Sequence, residues 1–184
     1  MSIDQFDEDS YEQTLIELFQ GMGYQYECGY DVERDFREPY YADDLRKGLR
    51  RLNPMLSDEV LSEAMRKVTH VNEGTLEQRN EQLMDYLQSG VEVKHAEDGR
   101  QKTALVRLID YNDPLHNDFK IANQWRVVEH EAIRCDMVAF VNGLPLVVIE
   151  LKSPSREETD EEDAYTQIKQ YQQKCDKLGL RINR

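Results

Sequence analysis

Two apolar segments on either side of the dipeptide Asn142-Gly143 constrain the fold of this chain more than any other feature. The first segment reads DMVAFV and the second reads LPLVVIEL. Because Asn-Gly readily adopts the positive φ angles of a two-residue turn, the pattern predicts a β-hairpin at this point. We expect Pro145 to disturb the strand pairing directly after the turn, since proline has no N–H to donate.

The residues before Gly90 have the sequence patterns of helices. Side chains that can cap a first helical turn indicate three helix starts: Ser10 with Gln13, Ser57, and Thr75 with Gln78. Apolar residues at helical spacing indicate the inward faces of four helices: Leu15, Leu18, Phe19 and Met22; Leu45, Leu49 and Leu52; Leu61, Ala64, Met65 and Val68; and Leu76, Leu83 and Leu87. We expect these stripes to form core and not a cofactor site.

Strand patterns dominate the residues after Gly90. The segments VEVKH and TALVRLIDY predict two strands joined across AEDGR, and more extended chain is expected at 125–133. A closing helix is expected at about 160–177. With 184 residues, the chain suits one domain of layered α/β or α+β class.

Composition excludes several classes of protein. The formal net charge of −14 argues against an autonomous nucleic-acid binder, which normally carries a basic surface. No apolar run approaches the roughly 20 residues that cross a bilayer, and the N-terminus lacks a secretion signal, so we expect a cytoplasmic protein with no membrane partner. Cys28, Cys135 and Cys175 are odd in number and widely spaced, which argues against a disulfide framework and a zinc site.

Three charged residues converge at the predicted hairpin. Asp136 begins the first strand and Glu150 ends the second, so folding about the turn brings their carboxylates together. Lys152 follows Glu150 by two residues and therefore points to the same face of the strand. Two close carboxylates repel each other unless a cation lies between them, and oxygen ligands with room for water suit Mg²⁺. The sequence therefore predicts a metal-dependent phosphodiester hydrolase site, with an ordinary cluster of surface charges as the alternative.

The chain resembles the N-terminal nuclease domain of the R subunit of type I restriction-modification enzymes (the HsdR family), within the PD-(D/E)XK superfamily. The resemblance runs from about Tyr11 to Gln172 and rests on the segments YYADDLRKGLRRLNP, VRLIDYNDPLHNDFKIANQW, RCDMVAFVNGLPLVVIELKSP and AYTQIKQY. It implies a restriction-endonuclease-like α/β core, with a central mixed β-sheet flanked by helices, and an additional N-terminal helical part. We therefore expect a single nuclease domain over 1–184, helical over about 1–90 and strand-rich in a catalytic core over about 91–184.

The resemblance also implies roles for individual residues. Asp136 and Glu150 would be the metal ligands, and Lys152 would be the catalytic lysine. Gln167 and Tyr171 match the family's Gln-x-x-x-Tyr motif, which supports cleavage by positioning DNA or the metal site. Without the resemblance, that pair would indicate only one face of an amphipathic helix.

Further candidates come from the superfamily and from charge. Superfamily members often place an acidic residue of the first helix near the metal, which implies Glu12 here. Glu17 is its rival, and the helix dipole alone would favour an acid at position 12. The arginines that could contact phosphate are Arg107, Arg126, Arg134 and Arg156. Cys135 stands where the superfamily name expects proline, which leaves the carboxylate chemistry intact.

The implied function belongs to a larger enzyme. In that enzyme the domain would cut duplex DNA after ATP-driven translocation, with the translocase region of the same R subunit and the methyltransferase and specificity subunits as partners. This chain has no G-x-x-x-x-G-K-[ST] loop, so ATP would be used by the motor region, and we expect the chain to be a fragment of a longer R subunit. Two alternatives remain: a nuclease-like module that binds DNA or subunits without cutting, and an acidic DNA mimic that blocks restriction enzymes.

Overall fold

The structure is a computed structural model that describes residues 8–71, 73–128, 131–151, 165–166 and 169–170. The helices with defined bounds are α1 (Glu8–Gly21), α2 (Ala42–Leu52), α3 (Asp58–Thr69) and α4 (Leu76–Ser89), and a short 3₁₀ helix covers Pro114–His116. The strands are β1 (Gln25–Cys28), β2 (Val91–Glu97), β3 (Arg100–Val106), β4 (Phe119–Val128), β5 (Ala132–Val141) and β6 (Leu144–Ile149). The expected α/β class is confirmed. Most of the closing helix expected at 160–177 lies outside the described residues.

The described residues divide into two compact units. The first unit draws on the described residues within 1–39, 119–140 and 145–180, and the second draws on those within 40–118 and 141–144. The expected change from helices to strands at Gly90 therefore falls inside the second unit. That the chain is a single nuclease domain stays a prediction.

A mixed four-stranded sheet forms the first unit, in the order β1-β4-β5-β6. β1 runs parallel to β4, with Gln25 opposite Lys120 and Cys28 opposite Asn123. Short connections join β4 to β5 and β5 to β6, so these neighbouring strands form antiparallel hairpins. The central mixed sheet that the resemblance implies is thus present.

Helix α1 covers this sheet with a face that differs in part from the predicted one. The buried core of the unit consists of Ile16, Ile121, Met137 and Ala139. Leu15 and Phe19 pack against this core as predicted, but Leu18 and Met22 are 55% and 57% exposed, so their predicted burial is wrong. The reason is geometric: Leu15, Ile16 and Phe19 lie within an arc of about 100° on the helix, and Leu18 and Met22 lie outside it.

Strand β1 was not predicted, because the first half of the chain was expected to be helical. Its four residues are too few to show a strand pattern of their own. What defines β1 is its parallel pairing with β4, a strand that follows it by more than 90 residues. Pairing at that sequence separation leaves no local signal.

Helices α2, α3 and α4 and the hairpin of β2 with β3 make up the second unit. Its buried apolar residues include Leu45, Leu49, Leu61, Ala64, Val68, Leu87, Val91, Val93 and Val106. The predicted hairpin is confirmed, with Asp98 and Gly99 at positive φ angles in the turn. β3 ends at Val106 and not at Tyr111 as predicted, and the next backbone N–H, of Arg107, donates to the Asn53 side chain at 2.9 Å.

Two of the three predicted helix caps are confirmed. Ser57 accepts a hydrogen bond from the Val60 N–H at the start of α3. Thr75 and Gln78 form both bonds of the capping box at the start of α4. The prediction for Ser10 is wrong, because α1 already begins at Glu8 and the Ser10 carbonyl accepts a bond from Thr14 inside the helix.

The Asn142-Gly143 turn is present as predicted, with φ angles of 49° and 82°. Strand β6 continues through Pro145 without a break, so the expected disturbance is not seen. A proline is tolerated there because β6 is an edge strand of the sheet that the described residues form.

Two further expectations from the sequence concern the cysteines and membrane-spanning segments. Cys28 and Cys135 are free thiols, and Cys175 lies outside the described residues. Among the described helices, none combines the length and the apolar character that crossing a membrane requires.

Candidate active site

The two carboxylates predicted to meet at the hairpin do so in the first unit. Asp136 lies on β5, and Glu150 follows the last residue of β6. The Asp136 N–H donates to Glu150 Oε1 at 3.4 Å, and the Leu151 N–H donates to Asp136 Oδ2 at 2.8 Å. Each carboxylate is therefore held by the backbone of the neighbouring strand, and both side chains are half-buried.

A cleft of about 440 Å³ opens beside Asp136. Its lining residues come from α1, the segment after β1, β4, β5 and the segment after β6: Asp9, Glu12, Tyr30, Asn123, Gln124, Arg134, Asp136 and Leu151. Three of these residues are acidic. A cleft with this lining favours a cationic ligand, because nearby carboxylates repel one another in its absence.

Glu12 lies in this cleft, and its rival Glu17 does not. Asn123 Nδ2 donates to Glu12 Oε1 at 2.7 Å, and Gln124 Nε2 donates to Glu12 Oε2 at 2.8 Å. Glu17 is exposed on another face of α1, where it accepts a bond from Gln13 at 3.1 Å. Helical spacing accounts for the difference, since position 12 lies on the buried face of α1 and position 17 does not.

Gln124 has an unusual backbone conformation for a residue within a strand. Its φ angle is 50°, in the left-handed region that side chains other than glycine seldom adopt. Before it, Ile121, Ala122 and Asn123 are all buried, and after it burial alternates from Trp125 onward. The conformation thus interrupts the alternation of buried and more exposed side chains along β4, at the point where this strand borders the cleft.

Of the three arginines considered for phosphate contact that the structure describes, Arg134 is the one that lines the cleft. Its Nη1 donates to the Tyr30 hydroxyl at 2.9 Å. Arg126 lies over the Phe36 ring at 5.3 Å, Arg107 belongs to the second unit, and position 156 lies outside the described residues.

The carboxylates fit a magnesium ion better than they fit a fully protein-ligated metal. Within the described residues, no three histidine, cysteine, aspartate or glutamate side chains are grouped closely enough to hold a metal by themselves. Mg²⁺ commonly uses only one or two carboxylates and keeps several water ligands. Asp136 and Glu150, joined by hydrogen bonds through their strands, provide such a pair.

Comparison with known proteins adds an independent finding. The family model of the type I restriction enzyme R protein N terminus matches residues 5–181. The chain belongs to this family. The resemblance stated from the sequence is thereby confirmed.

Curated relatives of this R protein N-terminal domain are much longer proteins. The chain is 32% identical over 181 residues to the type I restriction enzyme HindI endonuclease subunit of Haemophilus influenzae, which covers 93% of this chain and 17% of that protein. Two putative type I restriction enzyme endonuclease subunits of Methanocaldococcus jannaschii, MjaIXP and MjaVIIIP, are 28% and 30% identical over 158 and 123 residues. They cover 80% and 66% of this chain, which spans 15% and 11% of their lengths.

Several site residues expected for the family lie outside the described residues, namely Lys152, Gln167 and Tyr171. Five residues that line the cleft were not predicted from the sequence: Asp9, Tyr30, Asn123, Gln124 and Leu151. A signal for two of them was present. Two consecutive carboxamides in the middle of the strand FKIANQWRVV are costly to bury without hydrogen-bond partners, which points to a specific role.

Proposed function

We propose that this chain is the metal-dependent endonuclease domain of a type I restriction-modification R subunit, and that it hydrolyses phosphodiester bonds of duplex DNA. The observation that carries the proposal is the placement of Asp136 and Glu150. Their carboxylates are held together by backbone N–H groups of neighbouring strands, next to a cleft that also contains Glu12. Membership of the R protein N-terminal family supports the same function.

The electrostatics of the cleft support a divalent cation as cofactor. Asp9, Glu12 and Asp136 line it, and among its described lining residues Arg134 is the one cation. In this proposal Asp136 and Glu150 hold Mg²⁺, and Glu12, which lines the same cleft as Asp136, would interact with the ion through one of its water ligands. When bound, Mg²⁺ supplies Lewis acidity toward a phosphoryl oxygen and lowers the pKa of a coordinated water.

The remaining roles belong to side chains that position the substrate. Arg134 would contact a non-bridging phosphate oxygen, because it lines the cleft and lies two residues before Asp136 on β5. Lys152 would orient the attacking water and offset the charge that develops on the phosphate. Gln167 and Tyr171 would position the DNA or the metal site, as the resemblance implies.

The proposed context is a multi-subunit enzyme. The relatives carry the chain's sequence in only 11–17% of their length, which leaves room for a translocase region that uses ATP. The net charge of −14 makes it unfavourable for this domain to bind DNA tightly alone, so the translocase region of the R subunit and the methyltransferase and specificity subunits would hold the DNA. We place this enzyme in the cytoplasm.

A lysine substitution separates a cutting domain from a nuclease-like module that only binds. Lys152→Ala should leave the Mn²⁺ affinity of the chain unchanged and abolish ATP-dependent cleavage of plasmid DNA by the assembled enzyme. The charge-matched control is Lys47→Ala, at an exposed position on α2, which should leave both properties unchanged. Plasmid cleavage at the native rate by Lys152→Ala would remove Lys152 from the mechanism. If the native enzyme also leaves plasmid intact with Mg²⁺ and ATP, the domain is a binding module.

A further inference from the structure

We propose that Asn123 and Gln124 are positioning residues that hold the Glu12 carboxylate in the cleft, where it attracts the cation and accepts a hydrogen bond from one of the cation's water ligands. The two side chains are called the carboxamide pair below. The inference rests on the proposed function, because it concerns the same cation. It adds two residues of β4 to the proposed site, and gives them the role of orienting one of its carboxylates.

The carboxamide pair holds both oxygens of one carboxylate. Asn123 Nδ2 lies 2.7 Å from Glu12 Oε1, and Gln124 Nε2 lies 2.8 Å from Glu12 Oε2. Two bonds to two different oxygens fix the carboxylate against both rotation and translation. A carboxylate oxygen can accept more than one bond, so a group held in this way can still accept a bond from a water ligand of the cation.

The chemistry of the donors is suited to that purpose. An arginine or lysine at either position would neutralise Glu12 and compete with a metal ion for its charge. A carboxamide donates an N–H with no net charge, so it orients the carboxylate and leaves its attraction for a cation in place. The same pair therefore fits a cation site better than it fits an ordinary link between a helix and a strand.

Asn123 is itself held in place from β1. Its side chain is 8% exposed, and the Tyr26 hydroxyl donates to its Oδ1 at 3.2 Å, which leaves Nδ2 to face Glu12. Burial and the nearby Cys28 and Glu12 raise the pKa of Tyr26, so its hydroxyl remains protonated and continues to donate. Asn123 is thus fixed at both ends of its amide.

Gln124 contacts Glu12 from a left-handed backbone conformation. At this φ angle of 50° glycine would be less strained, yet the chain carries a long polar side chain there. The residue after β1, Gly29, packs closely against this part of β4. Its N–H donates to Asn123 O at 2.9 Å, and a Cβ at position 29 would lie 2.5 Å from that oxygen. Strained positions of this kind occur at functional sites, where the surrounding structure holds them in place.

The test replaces Gln124 with glycine, because this change should lower Mn²⁺ affinity without lowering the thermal stability of the chain. Gln124→Gly removes the amide and suits the backbone conformation, so the thermal midpoint should stay the same or rise. Isothermal titration with Mn²⁺ should show an affinity about 10- to 100-fold lower than that of the native chain, as for other residues outside the ligand set that support a metal site. The matched control is Gln13→Ala, which removes the same kind of amide–carboxylate bond, to Glu17, on the exposed surface of α1 and should change nothing.

A double-mutant cycle decides whether Gln124 acts through Glu12. The Glu12→Gln, Gln124→Gly double variant should bind Mn²⁺ no more weakly than Glu12→Gln alone. Unchanged Mn²⁺ affinity in Gln124→Gly, or fully additive losses in the cycle, would overturn the inference. If Gln124→Gly does not fold, Asn123→Leu replaces it in the same cycle, since leucine is of similar size, removes the donor and adds no charge. Failure of the native chain to bind Mn²⁺ at all would instead contradict the proposed function.

Discussion

At the scale of single residues, the hairpin turn depends on a fully buried asparagine. Asn142 Oδ1 accepts bonds from Arg51 Nη2 and the Asp118 N–H, at 2.8 and 2.9 Å. Its Nδ2 donates to Leu108 O and Asn117 Oδ1, both at 2.9 Å. All four contacts lie within the second unit, so Asn142 is fixed by its side chain and not only by its turn conformation.

The glycine beside it yields a sharp stability prediction. Gly143 has a φ angle of 82°, and a Cβ there would lie 2.5 Å from Tyr41 O and 2.6 Å from Leu45 N. Gly143→Ala should lower the free energy of unfolding by about 2–4 kcal/mol, from backbone strain plus a clash with backbone atoms. Urea unfolding followed by circular dichroism measures this value.

Gly99→Ala is the matched control for that clash. Gly99 also has a positive φ angle, 72°, but a Cβ there would meet no atom within 4 Å. Gly99→Ala should lower the free energy of unfolding only through backbone strain, by about 1–2 kcal/mol. Equal costs for the two alanine variants would show that close packing around Gly143 contributes nothing.

At the scale of elements, the start of α4 is stabilised by its capping box. Thr75→Ala removes the side-chain bond to the Gln78 N–H and should cost about 1 kcal/mol of unfolding free energy in the same urea assay. Ser62→Ala, at an exposed position within α3, serves as the control and should cost almost nothing. A loss no larger for Thr75→Ala than for Ser62→Ala would mean that the cap does not stabilise the unit.

The elements also show what sequence patterns can and cannot predict here. The Asn142-Gly143 hairpin and the Thr75 capping box were predictable because the residues that determine them are close in sequence. β1 was not predictable, since its pairing with β4 is a long-range contact. The choice of Glu12 over Glu17 was left open for a related reason, because it depends on which face of α1 covers the sheet. The roles of Lys152, Gln167 and Tyr171 stay predictions.

At the scale of the whole molecule, strong negative charge coexists with a site proposed for a polyanionic substrate. The formal net charge is −14, and carboxylates also dominate the charged lining of the cleft. A divalent cation bound in the cleft would reduce this electrostatic repulsion, because it offsets the negative charge of the carboxylates and attracts a phosphate. Bound metal should therefore be the main determinant of whether DNA can approach the cleft.

The most direct test of the account is a Mn²⁺ titration of the native chain and of Asp136→Ala by isothermal calorimetry. We predict one site in the native chain and an affinity lower by about 100-fold or more in Asp136→Ala, since a ligand is lost and not merely a residue outside the ligand set. Glu17→Ala removes an exposed carboxylate from α1 and should bind as the native chain does. Equal Mn²⁺ affinity in Asp136→Ala and the native chain would contradict the central claim that Asp136 and Glu150 form a metal site.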